Sequence, residues 1–400
     1  MSAFNTSGIF YSSYNPAELN KKSFADTILR LWPNGSAPLF AMTGQMKDKK
    51  ALASTHGYFT KTMVFALLTI DEAAGYAAGI TTFTVDTTAG VVPGMLFQNA
   101  LREVFKVLTV PSATSVTVAR SHGRIAAQAL VDNEVCFCVG NNQTESSNRP
   151  TARSITPVYV PNYTTIIRNA WALSDTARAS YAEAGFSNIT ENRQDCMQMH
   201  SVDVESKLLF GQAKSPAGSP IEHDTQGIID AIYEHASGNV QTAGATTTYA
   251  QLVTMIEPMF TYQSDLGNNK ERMLFGDAQA IKVLHDIGEN YGQINLTQKE
   301  TSFGMMFTEF KTYKGTIRMI EHPLLNGLGS PSGLAVIVDL ASMGLAYMDG
   351  RKHKVENYDG SKDGSNSGVD AIGGSMLAEF ATEFRNPQAC GVLNGLTAAA

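Results

Sequence analysis

Between Asn162 and Gly211 a segment rich in Thr, Ile, Tyr and Trp runs into an uninterrupted series of helix formers, and this junction constrains the fold more than any other feature. Asn162 to Ser174 carries the β-branched and aromatic residues that suit a pleated, half-buried strand. Asn188 to Phe210 has no internal Pro or Gly, with start signals in Asn188, Thr190 and Glu191 and a stop signal in Gly211. The pattern predicts a strand that hands over near Gly185 to a helix of about 20 residues, roughly 30 Å long. An extended arm feeding one long helix belongs to building blocks more than to catalysts.

Three groups of residues in this region, and a fourth near the carboxyl end, carry a resemblance. They are Asn162, Tyr163, Thr164 and Ile166 (Asn-Tyr-Thr-x-Ile); Ser174, Thr176 and Ala177 (Ser-x-Thr-Ala); and Glu205, Leu208, Leu209 and Gly211 (Glu-x-x-Leu-Leu-x-Gly). A further element, Arg385, Asn386 and Ala389, closes the strand GSMLAEFATEF. In order and separation, from about Tyr58 onward, the chain resembles the tailed-phage major capsid proteins of the SU10-like family, which have the HK97 fold. The resemblance implies an α+β chain with an N-arm (1–57), an extended E-loop (58–175) carrying an inserted all-β module at about 81–140, a P-domain spine helix (176–220), an A-domain (221–343) and a return to the P-domain sheet (344–400). It implies self-assembly as hexamers and pentamers into an icosahedral head around double-stranded DNA, with scaffolding, portal and decoration proteins as partners. The expected place is the virion, after synthesis in the host bacterial cytoplasm.

The bulk properties fit that reading. A chain of 400 residues with 43% hydrophobic content can bury a large core and divide into two or three domains. No apolar run is long enough to span a bilayer, and the start, MSAFNTSGIFYSSYNP, lacks the basic and apolar blocks of a signal peptide, so a soluble cytoplasmic product is expected. Because the sequence opens at Met1, no amino-terminal scaffold segment is expected to have been removed. Four cysteines make no disulfide framework, and sequons such as those at Asn142 and Asn295 carry no weight without an export signal. A net charge of −7 argues against binding that depends on phosphate neutralisation, and an acidic lining would let packaged DNA slide.

Along the chain, residues 1 to about 50 scatter Phe4, Phe10, Tyr11, Tyr14, Phe24 and Trp32 among Ser, Asn and Pro. The segment as a whole has too little periodicity for a core of its own, and its rings are expected to dock on a neighbour. Phe59 to Leu68 is β-rich, and the strands TTFTV, GMLFQ, REVFKVLTV, SVTVAR and EVCFCVG then follow with turns at Ala89 to Gly94, Pro111 to Ser115 and His122 to Gly123, the mark of a small barrel or sandwich. Beyond QAKSPAGSP, Tyr249 to Phe260 and Glu271 to Gly288 read as helices, and Phe307 to Ile320 and Leu334 to Val338 as strands. Gly344 to Tyr358 and Met376 to Arg385 lead back to the sheet. In the closing strand Met376, Ala378, Phe380 and Phe384 face the core, and Glu379, Glu383 and Arg385 are expected on a wet face.

Chemistry-bearing groups are few. Cys136 and Cys138 share a strand face and Cys196 and His200 a helix face, which would make a Cys3His zinc set only if distant segments converged; reduced, buried thiols explain them better. The pair Cys196 and His200 lies in no nucleophile signature. In the loop from Asp359 to Asp370, Asp359, Ser361, Asp363, Gly364 and Asp370 take calcium-loop positions, but an Asp stands where a bidentate Glu is usual, so a solvated turn is the better reading. No catalytic, cofactor-binding or metal site is assigned, and no enzyme activity or cofactor is expected. Tyr163, Ile167 and Trp171 on the arm, with Phe4, Phe10 and Tyr11, are the candidate interface anchors; core packing explains Trp171 almost as well. A phage tail or adhesin structural protein would share the β-module, and a metal-dependent hydrolase would need a converging pocket. Neither accounts for arm, long helix and closing strand together.

Overall fold

The computed structural model describes residues 48–61, 66–150, 152–179, 188–244, 246–262, 270–291, 299–300, 306–326, 333–359 and 370–397. The aromatic residues Phe4 to Trp32 and positions 360–369 of the candidate calcium loop lie outside them. The chain divides into two compact units, one of residues 59–159 and the other of 1–58 with 160–400.

Among the described residues the larger unit is built on two large sheets, with a two-stranded ribbon of Lys214–Ala217 and Glu222–Asp224 beside them in sequence. In the first, Asp48–Ala51 runs parallel to Met343–Met348, which pairs antiparallel with the long strand Ala371–Phe384. The other edge of that long strand takes the arm strand Thr165–Ser174 in an unbroken register from Thr165↔Phe380 to Ser174↔Ala371. Lys354–Asp359 pairs with it as well. After the arm strand comes a short helix, Asp175–Ala179, begun by Ser174, whose Oγ accepts the Ala177 N–H at 3.3 Å. The spine helix Asn188–Phe210 has 23 residues and so spans about 35 Å.

The second sheet runs, among the described residues, in the order Val240–Thr242, Gly391–Asn394, Ala335–Val338, Glu271–Gly276, Thr316–Glu321, Met306–Lys311, Lys299–Glu300. Both of its faces are covered. Met273, Phe275, Val336 and Val338 pack into one core with Leu208 and Leu209 of the spine helix and Ile232 of helix Ile228–His235. Leu274, Ala335 and Ile337 point into another, with Leu252 and Ile256 of helix Tyr249–Ile256 and Val283 and Leu284 of helix Ala278–Tyr291. This corrects the expected helix over Glu271 to Gly288. Its first six residues are a central strand, and because both faces are buried the run ERMLFG has no alternation to betray it. The helix starts only after Asp277, whose Oδ1 accepts the Ala280 N–H at 2.6 Å.

In the smaller unit six strands pair in the order Leu67–Thr69, Val135–Asn141, Met95–Gln98, Val104–Ser112, Ser115–Ala119, Thr82–Thr84. The bridge Ile70↔Val85 joins the two outer strands, with Asp71 N–H to Thr84 O at 3.0 Å and Asp86 N–H to Thr69 O at 3.1 Å. The sheet therefore closes into a barrel and has no free edge there. Phe83, Phe97 and Phe105 fill it, with Phe83 edge-on to Phe105 at 5.6 Å and Phe97 stacked on it at 6.2 Å. The first barrel strand, Leu67–Thr69, precedes the 81–140 stretch read from sequence, because the β-rich run at Phe59 to Leu68 divides between the barrel and the ribbon strand Tyr58–Thr60. That ribbon strand pairs with Val158–Val160.

Candidate functional site

The Asn162 and Thr164 motif and the Arg385 element meet at one joint, where the start of the arm strand, the loop after the spine helix and the long strand come together. Asn162 is 2% exposed, and its Nδ2 donates to Thr382 O at 2.7 Å and Thr382 Oγ1 at 3.0 Å. Its Oδ1 accepts the N–H of Tyr163 at 2.8 Å and of Gln226 at 2.9 Å. Thr225 Oγ1 accepts the Thr382 N–H at 3.1 Å. One amide side chain thus satisfies groups on three segments, and an aliphatic residue there would leave buried donors and acceptors unpaired.

Thr164 of the same motif donates its hydroxyl to Glu379 Oε1 at 3.1 Å. Glu379 also pairs with Arg351. Glu383 accepts Lys49 Nζ at 3.1 Å, His56 Nε2 at 2.8 Å and Arg385 Nη2 at 2.6 Å. The expected wet face of the closing strand is therefore buried: Glu379 is 5% and Glu383 3% exposed. Their carboxylates stay there because cationic and hydroxyl partners from distant segments cover them.

The spine-helix motif ends at a second buried pair. His322 accepts the Leu324 N–H at Nδ1, 3.2 Å, so its proton sits on Nε2 and is donated to Glu205 Oε1 at 2.7 Å. Leu208 and Leu209 lie in the core, and the residue that follows the helix is Gly211, where a Cβ would come within 2.6 Å of both Lys207 O and Thr225 O. In the carboxyl-terminal motif Arg385 holds Glu383, and Ala389 is buried with its carbonyl accepting Arg272 Nε at 3.2 Å.

Two expected anchors have another role. Ile167 and Trp171 are each 8% exposed, Ile167 in the main core and Trp171 against Cys196 and Met376. The period-2 arm strand turns them inward and leaves Ile166, at 47%, outward; Tyr163 is half-buried. Cys136 is buried inside the barrel, where desolvation pushes its thiol up to about 12. Burial likewise raises the Cys196 thiol and lowers the His200 imidazole, whose Nδ1 donates to Asn169 Oδ1 at 2.8 Å. Among the described residues no group of three or more His, Cys, Asp or Glu is placed to hold a metal ion. Sequence reading missed Thr225, Gln226, Thr382, Lys49 and His56 as members of the joint. Thr382 lies 220 residues from Asn162, and no local pattern links them.

Comparison with known proteins identifies the family. The model of the SU10 major capsid protein family matches residues 5–397. The major capsid protein of Pseudomonas phage PaMx41 is 47% identical over 403 residues, covering 97% of this chain and 96% of that one. The cyanophage A-1(L) capsid shares the fold at 10% identity with a TM-score of 0.51, covering 97% of this chain and 100% of that one. The α+β, HK97-like architecture and the match along nearly the whole length lead to one conclusion: the chain belongs to the SU10 major capsid protein family.

Proposed function

We propose that this protein is the shell-forming subunit of a tailed double-stranded DNA phage head, assembling as hexamers and pentamers into an icosahedral capsid and residing in the virion. Family membership over residues 5–397 is the observation that carries this reading. The polar joint supports it: its charged groups are tied to one another inside the subunit and brace the sheet that pairs the arm strand with the long strand Ala371–Phe384. In this reading 1–57 is the N-arm, 58–175 the E-loop region with its barrel, 176–220 the P-domain spine, 221–343 the A-domain, and 344–400 the return to the P-domain sheet. The subunit is a building block and not an enzyme. Its partners are copies of itself, scaffolding, portal and decoration proteins, and it encloses DNA without reading sequence. Synthesis takes place in the host bacterial cytoplasm.

Electron microscopy with sedimentation, on the chain expressed alone and with the scaffold product of the neighbouring gene, tests the proposal. Closed polyhedral shells, or the hexamers and pentamers that build them, are the expected result. A stable monomer under both conditions would overturn it. Replacing Phe10 and Tyr11 by Ala is expected to leave the subunit folded and lower shell yield.

A further inference from the structure

The spine helix rests on the arm strand and its sheet through two unequal cores. Its second half, with Val204, Leu208 and Leu209, sits in the main core. Beneath its first half the buried apolar cluster among the described residues is small: Trp171, Cys196 and Met376, with Ile189 packed on it. His200 stands one helical turn from Cys196 and one from Val204, at the seam between the two cores. It is 5% exposed, so an ionisable ring fills the place of an apolar side chain.

The proton on that ring can be placed. Asn169 of the arm strand donates Nδ2 to Asp203 Oδ2 at 2.6 Å, so its Oδ1 is the atom turned to the imidazole, and His200 Nδ1 donates to it at 2.8 Å. Nε2 then carries the lone pair, and this buried atom has no hydrogen-bond partner among the described residues. A second proton would make it a charged donor with no acceptor. The surroundings do little to offset that. Asp203, on the next turn of the helix, already accepts Asn169, and Cys196, one turn before, is a thiol that burial keeps protonated. The arm strand offers the neutral Asn169. From the turn after Met343–Met348 the half-buried His353 meets the ring edge-on, centroids 6.0 Å apart; Tyr347 packs on His353 at 5.6 Å, and Lys352 Nζ lies 4.9 Å from the Tyr347 ring. That side therefore holds a second imidazole and a cation. Burial lowers the His200 imidazole below its ordinary value, and Asp203 opposes this only in part. With the folded value below the unfolded one, the stabilisation is fully present above the ordinary imidazole range and is lost as pH falls from there through the lowered value.

We propose that His200 is an acid-released latch: when its ring takes a second proton, the first half of the spine helix, residues 188–203, loosens from the arm strand while the second half stays seated in the main core. The unequal cores set where the helix parts, just before Val204.

Amide hydrogen exchange of the full-length protein at pH 8 and pH 5, corrected for intrinsic rates, tests this with peptides from 189–203 and 204–210 read separately. The expected result is a loss of protection of about tenfold or more in the first half at pH 5, and of less than about threefold in the second half and in the central strand Glu271–Gly276. His200→Asn keeps a donor for Asn169 Oδ1 and cannot titrate, so its first half should exchange at one corrected rate at both pH values. Two halves that respond alike in the native protein, a first half that does not respond, or an acid response retained in His200→Asn would overturn the proposal. Where that variant does not fold, deuterium exchange at the C2 position of the His200 ring in the native protein decides. The ring is expected to half-titrate below about 6.5, with the first-half amides loosening between that value and the ring's midpoint. Titration at or above about 6.5, or loosening outside that interval, would overturn it.

Discussion

Replacing Glu103 by Gln exchanges one oxygen for an NH2 group and removes one charge, and the barrel has no place for either change. Glu103 is fully buried, and each carboxylate oxygen receives two donors. Oε1 accepts Arg120 Nε at 2.7 Å and the Ser121 N–H at 3.3 Å; Oε2 accepts Arg120 Nη2 at 2.6 Å and the Gln128 N–H at 2.8 Å. Whichever way a glutamine amide is turned, its NH2 meets two donors, and the Arg120 guanidinium, 6% exposed, keeps its charge without a counter-ion. Breaking one partner of a buried pair costs about 3–5 kcal/mol. At 1.4 kcal/mol per tenfold, amide hydrogen exchange in the barrel strands of full-length Glu103→Gln should speed up by roughly a hundred- to several-thousand-fold, with the central strand Glu271–Gly276 unaffected. A barrel acceleration below about tenfold would refute the reasoning. A pH series gives a second check. Burial alone would raise the Glu103 pKa, but the hydrogen bond from Arg120 and those from the Gln128 and Ser121 backbone outweigh it and hold the carboxyl below its ordinary value. A folded-state pKa below the unfolded one means the stabilisation is fully present above the ordinary carboxylate range and is lost as pH falls through the depressed value. After correction for intrinsic exchange rates, the gap between Glu103→Gln and the parent protein should therefore close in acid.

Gly211→Ala places a methyl group 2.6 Å from two carbonyl oxygens, so the end of the spine helix must shift; a loss of about 1–3 kcal/mol is expected, measured as a lower urea midpoint by Trp171 fluorescence. His322→Leu takes the imidazole donor from the buried Glu205 carboxylate and should cost about 3–5 kcal/mol, with Glu205→Leu in the same chain recovering part of the loss in a double-mutant cycle. Thiol labelling of the native protein at pH 8 should modify Cys138 first, because Cys136 and Cys390 are buried with thiols pushed up to about 12; equal labelling rates would refute that order.

How legible each element was depends on where its neighbours lie in the chain. The barrel strands from Thr82 to Asn141 follow their alternation closely, since one side of each faces the barrel core and turn residues stand between them; only Met95–Gln98 with Val104–Ser112 and Val104–Ser112 with Ser115–Ala119 are hairpins of near neighbours. Glu271–Gly276 hid its identity because Met273 and Phe275 face one core and Leu274 the other. Glu379 and Glu383 looked wet for a related reason. A carboxylate at alternate positions says that a face is polar, not that it meets water, and the residues covering it, His56, Lys49 and Arg351, belong to other parts of the sequence. Ile167 and Trp171 show the same limit in reverse, as large apolar side chains suited to an anchor that the pleat of Thr165–Ser174 instead turns into the subunit's own core.

The ribbon that joins Tyr58–Thr60 to Val158–Val160 carries a consequence for how such a chain changes over time. Because the polypeptide leaves and returns on two hydrogen-bonded strands, everything between them begins and ends at one place, and the rest of the fold needs no knowledge of its length or content. Among the described residues the strands of the insert close into a barrel around a core of their own, so that pairing does not depend on the rest of the chain. The position is a graft point: the barrel could be exchanged for another closed domain, or for a two-residue turn, while Asn162, Thr225 and Thr382 still find one another.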